Sequence, residues 1–344
     1  MISVDLDRAP LPPLAAEHTA SNHFRFGYDT QEFSARQSGA ARYWTEYGRP
    51  SRRHHDFALE LESALGEIGA RHRRLSIAGS GGPISRAVAF LAERMGLDAA
   101  ITRIELDGVG APAPSGRLAV ETHAYRFDSF AEFAQSFAAR AGCGDAWVAL
   151  AAFHAAHATA PQIADHGEFR LLDNGIDERL VAVVAPPNLC LIDNEAFTAL
   201  DRWLIAEGRA GLPQLLRWSP ELMAAQLDSP PMRQWMAAAS ENDAAARSWT
   251  NRAARRALWR RSFPALDLLV DTRAAWADAN LRRRMTELSR RMRRLSPGCG
   301  MQHVIPLHRL ASRFALDLGV PLGEGAAVYG RVAETPVAAA GGLS

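Results

Sequence analysis

Apolar positions along the chain change period several times, and each change marks an element. Between Asp56 and Arg71, Phe57, Leu61, Leu65 and Ile68 recur at helical spacing behind an aspartate able to cap the first turn, which predicts an amphipathic helix. Arg74 to Ala78 is an apolar run of strand length, Gly79 to Pro83 a glycine-rich turn, and Ile84 to Met95 a helix with Ile84, Val88, Leu91 and Met95 on one stripe. A second apolar run, Ala99 to Leu106, follows almost at once. Strand, loop, helix and strand at this spacing form a βαβ unit, which implies a parallel pair joined by a right-handed crossover.

After Asp107, the stretch from Gly108 to Gly116 is too rich in glycine and proline to be helical, so the second crossover is expected to be a loop leading to a strand at Leu118 to Phe127. Helices are expected near Ser129 to Arg140 and Asp145 to His157, then a hairpin-like pair of runs around Phe169 to Leu172 and Leu180 to Ile192. From Asn194 onward helical patterns dominate: Asn194 to Ala206, Leu212 to Trp218, Pro220 to Leu227, Pro231 to Ala239, Glu241 to Arg261 and Arg273 to Leu295. The expected fold class is therefore α/β with a parallel sheet and a mostly helical C-terminal region. The expected organisation is an N-terminal arm (1–55) with an aromatic alternation at Phe24, Phe26 and Tyr28 lying on the surface, an α/β domain (56–193), a helical region (194–333) and a disordered alanine- and glycine-rich tail (334–344).

Composition narrows the function classes. The chain is 344 residues long and 48% apolar, enough for one large core or two modest ones. Cys143, Cys190 and Cys299 are far apart and belong to no CxxC pair, so they read as reduced thiols of a cytoplasmic protein. No apolar run has signal-peptide or membrane-spanning length, so no membrane is expected. A formal net charge of +1 gives no whole-protein field for nucleic acid, which is not an expected partner on that ground, although arginine concentrates between Arg252 and Arg294. There is no lysine, which excludes Schiff-base chemistry and a lysine clamp on phosphate.

The segment Ser76-Ile-Ala-Gly-Ser-Gly-Gly-Pro-Ile-Ser-Arg places glycines between a strand and a helix, where backbone N–H groups and the positive end of the helix can meet an anion. A tight turn needs glycine even when nothing binds. Within it, Ser80-Gly81-Gly82-Pro83-Ile84-Ser85 resembles the SGGxDS motif of the PP-loop ATP pyrophosphatases, which include the synthetase domain of asparagine synthetase and the 7-cyano-7-deazaguanine synthases. More particularly, the chain looks like phage and bacterial asparagine-synthetase-like proteins, through Ala41 to Pro50, Asn194 to Trp203, Glu207 to Pro213 and Trp218-Ser-Pro-Glu-Leu-Met.

The resemblance implies a Rossmann-like α/β/α parallel sheet of the HUP type, the adenine nucleotide alpha hydrolase-like fold. It implies ATP with Mg2+, and a ligase-type adenylation of a small-molecule acceptor that releases AMP and pyrophosphate. Carried over, Ser80, Gly81, Gly82 and Ser85 would hold phosphate, and backbone around Ala78, Ile104 and Glu105 would face the adenine. Three departures are visible. Ile84 stands where the family has aspartate, the second crossover lacks a helix, and the absent lysine leaves Arg86 as the nearest cation. These departures fit an alternative, a catalytically degenerate relative that works as a binding or interaction protein. No N-terminal cysteine of the glutaminase type is present.

Other constellations have both a functional and a structural reading. His154 and His157 share a helix face at metal-ligand spacing, and His303 and His308 flank an apolar run; with no third ligand nearby, both pairs read better as helix-surface or core histidines. Asp173-Asn174-Gly175 is either a loop beside a phosphate site or a hairpin turn, and Asp107 either faces a ligand at the sheet edge or caps a loop. Arg252, Arg255, Arg256, Arg260 and Arg261 near Trp249 and Trp259 fit either a nucleic-acid face with stacking tryptophans or a solvated face over core tryptophans.

Overall fold

The computed structural model describes residues 24–28, 43–72, 74–79, 83–110, 116–157, 180–182, 189–207, 211, 215–241, 251–266, 278–295 and 302–319. Two short strands, β1 (Phe24–Tyr28) and β2 (Tyr43–Tyr47), pair antiparallel with Phe24 opposite Tyr47. Their rings lie 5.0 Å apart and are 2% and 4% exposed. The expected surface arm therefore puts aromatic side chains into the core. A two-residue alternation shows that one strand face is apolar, but not what that face meets.

Helix α1 (Phe57–Arg71) starts where Asp56 accepts a hydrogen bond from the Leu59 N–H at 3.0 Å, and it buries Phe57, Leu61, Leu65 and Ile68 as expected. Strand β3 (Leu75–Ala78), helix α2 (Pro83–Arg94) and strand β4 (Ala99–Leu106) then form the βαβ unit, with β3 and β4 parallel and Leu75 beside Ala99. A two-residue strand, β5 (Val109–Gly110), folds back antiparallel on the end of β4, and β6 (Ala119–Tyr125) pairs parallel along its other edge. The sheet is mixed, a correction to the parallel one expected. The antiparallel piece exists because Asp107 and Gly108 both have positive φ, 52° and 79°, which lets β4 reverse in a two-residue turn.

Helices α3 (Phe127–Ala141) and α4 (Ala146–His157) follow. A second, antiparallel sheet joins β7 (Leu180–Ala182), β8 (Leu189–Asn194) and β9 (Gln302–Pro306), with β8 central. The second expected run, Leu180 to Ile192, is itself divided into β7 and β8, which pair with each other; the first expected run (169–172) lies outside the described residues. The remaining helices are α5 (Glu195–Ala206), α6 (Pro220–Leu227), α7 (Pro230–Glu241), α8 (Asn251–Ser262), α9 (Ala279–Leu295) and α10 (Leu307–Arg313). Of the helix expected at Leu212 to Trp218, the described part is a single 3-10 turn, Leu215–Arg217. The long helix expected from Glu241 to Arg261 is described only from Asn251, as α8; residues 242–250 lie outside.

Two apolar cores lie on opposite faces of the mixed sheet. Leu75 and Ile77 face one, with α1, α2, α6, α7, α8 and α10; Ile104 and Leu106 face the other, with α3, α4, α5 and α9. Helices from beyond Asn194 therefore contribute to both cores. Trp203 packs edge-on against Phe133, with centroids 5.9 Å apart, and Phe133 packs likewise on Phe153 at 5.2 Å. Each such contact is worth about 0.5–1.5 kcal/mol beyond the area it buries. Helix α4 is buried almost all round, from Val148 to Ala155, so its sequence shows no polar face. No helix among the described residues is long and apolar enough to cross a membrane.

Candidate functional site

The carboxyl edge of the parallel strands is where open α/β sheets commonly bind ligands, and of the expected site residues Ala78, Ile104 and Glu105 stand toward that edge. Strand β3 ends at Ala78, and the Gly79 N–H donates to the Thr102 carbonyl at 2.7 Å. A Cβ on Gly79 would stand 2.9 Å from Ile101 Cγ2 and 3.1 Å from Arg103 Cγ, so the close approach of this backbone to β4 requires glycine whether or not an anion binds. Ser80, Gly81 and Gly82 lie outside the described residues, as does the side chain of Ile84. Helix α2 opens at Pro83, so the glycine segment does join a strand to a helix N-terminus.

Ser85, in the first turn of α2, is fully buried at 0% exposure, and Arg86 beside it is half-buried rather than solvent-facing. On β4 the register puts Ala78 beside Thr102, so Ala78, Thr102 and Ile104 share the face toward α3 and α4, whereas Arg103 and Glu105 point to the opposite face. The Thr102 hydroxyl is buried and shares a hydrogen bond with the Ser76 hydroxyl at 2.5 Å. The Arg103 Nη2 donates to Glu105 Oε1 at 2.9 Å, while its Nε is buried with no hydrogen-bond partner among the described residues. Arg103 leaves one signal in the sequence, a charged residue at an inward-alternating position of an apolar strand.

Asp107 resolves to the structural reading. Its Oδ1 accepts from the Phe127 N–H at 3.0 Å, capping α3, and its Oδ2 accepts from Arg284 Nη1 at 2.5 Å. The Arg284 guanidinium and the Phe127 N–H hold its carboxyl below the ordinary aspartate value. Both oxygens are thereby engaged.

His154 is buried, and burial first, with His123 and His157 nearby, lowers its pKa from 6.5 to about 3. It is neutral at neutral pH and cannot act there as a general acid. The His157 ring packs against Phe153 and Tyr125, with centroids 4.5 and 4.8 Å away. His123 enters from β6, which the sequence did not reveal because the three histidines meet only through the β6–α4 packing. Among the described residues no group of three or more histidines, cysteines, aspartates or glutamates can hold a metal ion. Cys143 is buried.

Trp259 is buried in the first core, edge-on to Phe57 with centroids 5.0 Å apart, so it is not a platform for a base. Trp249 and the segment Asp173-Asn174-Gly175 lie outside the described residues, as does the side chain of His303; His308 is half-buried at the start of α10. No family model matches the chain, and neither a curated protein nor a solved structure matches it.

Proposed function

We propose that the chain is a PP-loop-like adenine-nucleotide-binding protein with a Rossmann-like core of the HUP type, working in the cytoplasm, and that its adenylating chemistry is reduced or lost. The observation that carries the reading is the sequence of parallel β3, glycine segment and α2, with Ala78, Ile104 and Glu105 gathered at the carboxyl edge beside it. The N-terminus of the twelve-residue α2, which opens directly after the glycine segment, fits a polyphosphate. Ser80, Gly81, Gly82 and Ser85 would hold it, and the strand ends would face the adenine.

The residues present do not fit magnesium. Ile84 replaces the motif aspartate, and the described carboxylates of this edge, Glu105 and Asp107, are each engaged by an arginine. No step is therefore routed through a metal. This favours a nucleotide-binding or interaction protein over an asparagine-synthetase-like ligase, which would have to activate a small-molecule acceptor without that metal. Calorimetry with ATP and AMP, with and without magnesium, on the wild type and on Gly81→Asp tests the reading. Binding that needs no magnesium and disappears in the variant supports it. A folded wild type that binds neither nucleotide overturns it, and pyrophosphate release on addition of an acceptor would restore the ligase.

A further inference from the structure

Helix α9 carries seven arginines against one glutamate. Arg284 turns to Asp107 and lies over the Phe127 ring at 3.9 Å, whereas Arg282, Arg283, Arg290, Arg291, Arg293 and Arg294 are exposed. At 3.6 residues per turn these six fall on one half of the cylinder, opposite Leu281, Met285, Leu288 and Met292, which face the second core. Residues 282 to 294 span about 18 Å along the axis. Arg290, Arg291, Arg293 and Arg294 have no ion-pair partner among the described residues, whereas Arg74, Arg94, Arg117, Arg140 and Arg233 each meet a carboxylate.

Helix stability does not account for this pattern. Arginines in the last turn complement the negative end of the helix dipole, but Arg282 and Arg283 stand at the positive end, where the first turn has no acidic residue. Like charges three and four positions apart repel as well. The face is nonetheless held rigidly. The Ala146 N–H donates to Ser289 Oγ at 3.0 Å, and Gly144 packs so closely that a Cβ there would lie 2.8 Å from Arg293 Cα.

We propose that this face of α9 docks on the phosphate backbone of a nucleic-acid duplex without reading its sequence. Guanidinium forks match phosphate oxygens, and a duplex offers one negative charge per ~1.7 Å of axis, about ten along the length of the face. An anionic bilayer is disfavoured because the apolar side of α9 is already buried in the core. A protein partner is disfavoured because the face has no aromatic or large aliphatic anchor at its centre, the exposed large apolar residue of α9 being the terminal Leu295. The net charge of +1 conceals the surface because acids elsewhere balance it.

The test is fluorescence anisotropy of the full chain with a labelled mixed-sequence DNA duplex across a salt series. Vesicles containing phosphatidylserine serve as the competing surface. Four to six phosphate contacts predict log K falling against log salt with a slope of about −4 to −5. Arg290→Gln/Arg291→Gln/Arg294→Gln lowers that slope by about 3 and weakens binding more than tenfold at low salt, since each neutralised contact removes ~0.9. Arg74→Gln/Arg94→Gln/Arg117→Gln, the charge-matched control, changes neither. Unchanged binding by the first triple variant, equal loss in both, no duplex binding at low salt, or binding to the vesicles alone would each overturn the proposal. Circular dichroism of every variant verifies that it is folded.

Discussion

Asp107 and Arg284, 177 positions apart in the chain, meet with Arg284 Nη1 donating to Asp107 Oδ2 at 2.5 Å. The same aspartate reverses the chain at the end of β4 with φ 52° and caps α3 through the Phe127 N–H. One side chain thus ties a hairpin, a helix start and α9 together, and the three roles separate by substitution. The pair is partly exposed, 41% and 31%, so screening leaves the ion pair about 0.5 kcal/mol. Asp107→Asn keeps an acceptor and tolerates positive φ, and should cost about 0.5 kcal/mol. Asp107→Ala also loses the cap and strains the backbone, and should cost roughly 2 kcal/mol. Urea unfolding measures both, and equal losses would assign the stability to the ion pair instead.

Glu60, 1% exposed, accepts from Arg52 Nη1 at 2.6 Å, Arg52 Nη2 at 2.8 Å and the His55 N–H at 2.6 Å. Glu221 accepts from the Ser51 N–H at 2.6 Å and its hydroxyl at 2.8 Å, so two carboxylates clamp the segment between β2 and α1 onto α1 and α6. Burial pushes both pKa values up, and the hydrogen bonds from Arg52 and His55, and from Ser51, more than reverse it, so both end below the ordinary glutamate value. Their stabilisation is then present above about pH 4.5 and lost as pH falls through the lowered values. Glu60→Gln should cost about 2 kcal/mol at pH 7, less than a fully buried pair because Arg52 is 41% exposed, and should flatten the loss of stability below pH ~4.5. Chemical denaturation at pH 7 and pH 4 checks this. A variant that loses as much as the wild type between those values would show that Glu60 is not a source of acid lability.

The βαβ unit was legible because its periods are local: four core positions of α1 and the apolar runs of β3 and β4 stand where the spacing put them. What the sequence hid depends on partners far along the chain. Phe24 is in the core only because Tyr47 and β2 cover it, and β9 joins β8 across more than one hundred intervening positions, 302 against 194. The spacing leaves His154 either on the helix surface or in the core, and it is in the core because α3, α5, α9 and β6 pack around α4. At the candidate site, the strand ends and the start of α2 were legible. The engagement of Asp107 and Glu105 was not, because ion pairs to Arg284 and Arg103 leave no periodic trace.

Gly144 and Gly116 give a paired prediction about how tightly α9 is seated. A Cβ on Gly144 would stand 2.5 Å from Arg293 Cγ and 2.8 and 2.9 Å from its Cα and N, so the backbone of α9 must shift; on Gly116 the conflict is with Glu93 Oε2 at 2.9 Å, the far end of a flexible side chain. Gly144→Ala should therefore lose about 1–3 kcal/mol, as overpacking does, and Gly116→Ala well under 1 kcal/mol. Thermal unfolding ranks the two, and the reverse order would mean that α9 is loosely held.

His154 supplies a pH dependence in a different window from the carboxylates. Burial, reinforced by His123 and His157, depresses its pKa to about 3, so the folded protein keeps the imidazole neutral while the unfolded chain takes up a proton below about pH 6.5. Stability is accordingly lost as pH falls from about 6.5 toward 3, with the unfolded state binding the extra proton. Between pH 7 and pH 5 the loss is about 2 kcal/mol, and Glu60 and Glu221 add little there because both begin to protonate only lower. His154→Leu removes the titrating group. Whatever the substitution costs at pH 7, the variant should lose about 2 kcal/mol less than the wild type between pH 7 and pH 5 in urea unfolding. Parallel losses in the two proteins would mean that the folded state admits the proton, and that the β6–α4 packing opens to do so.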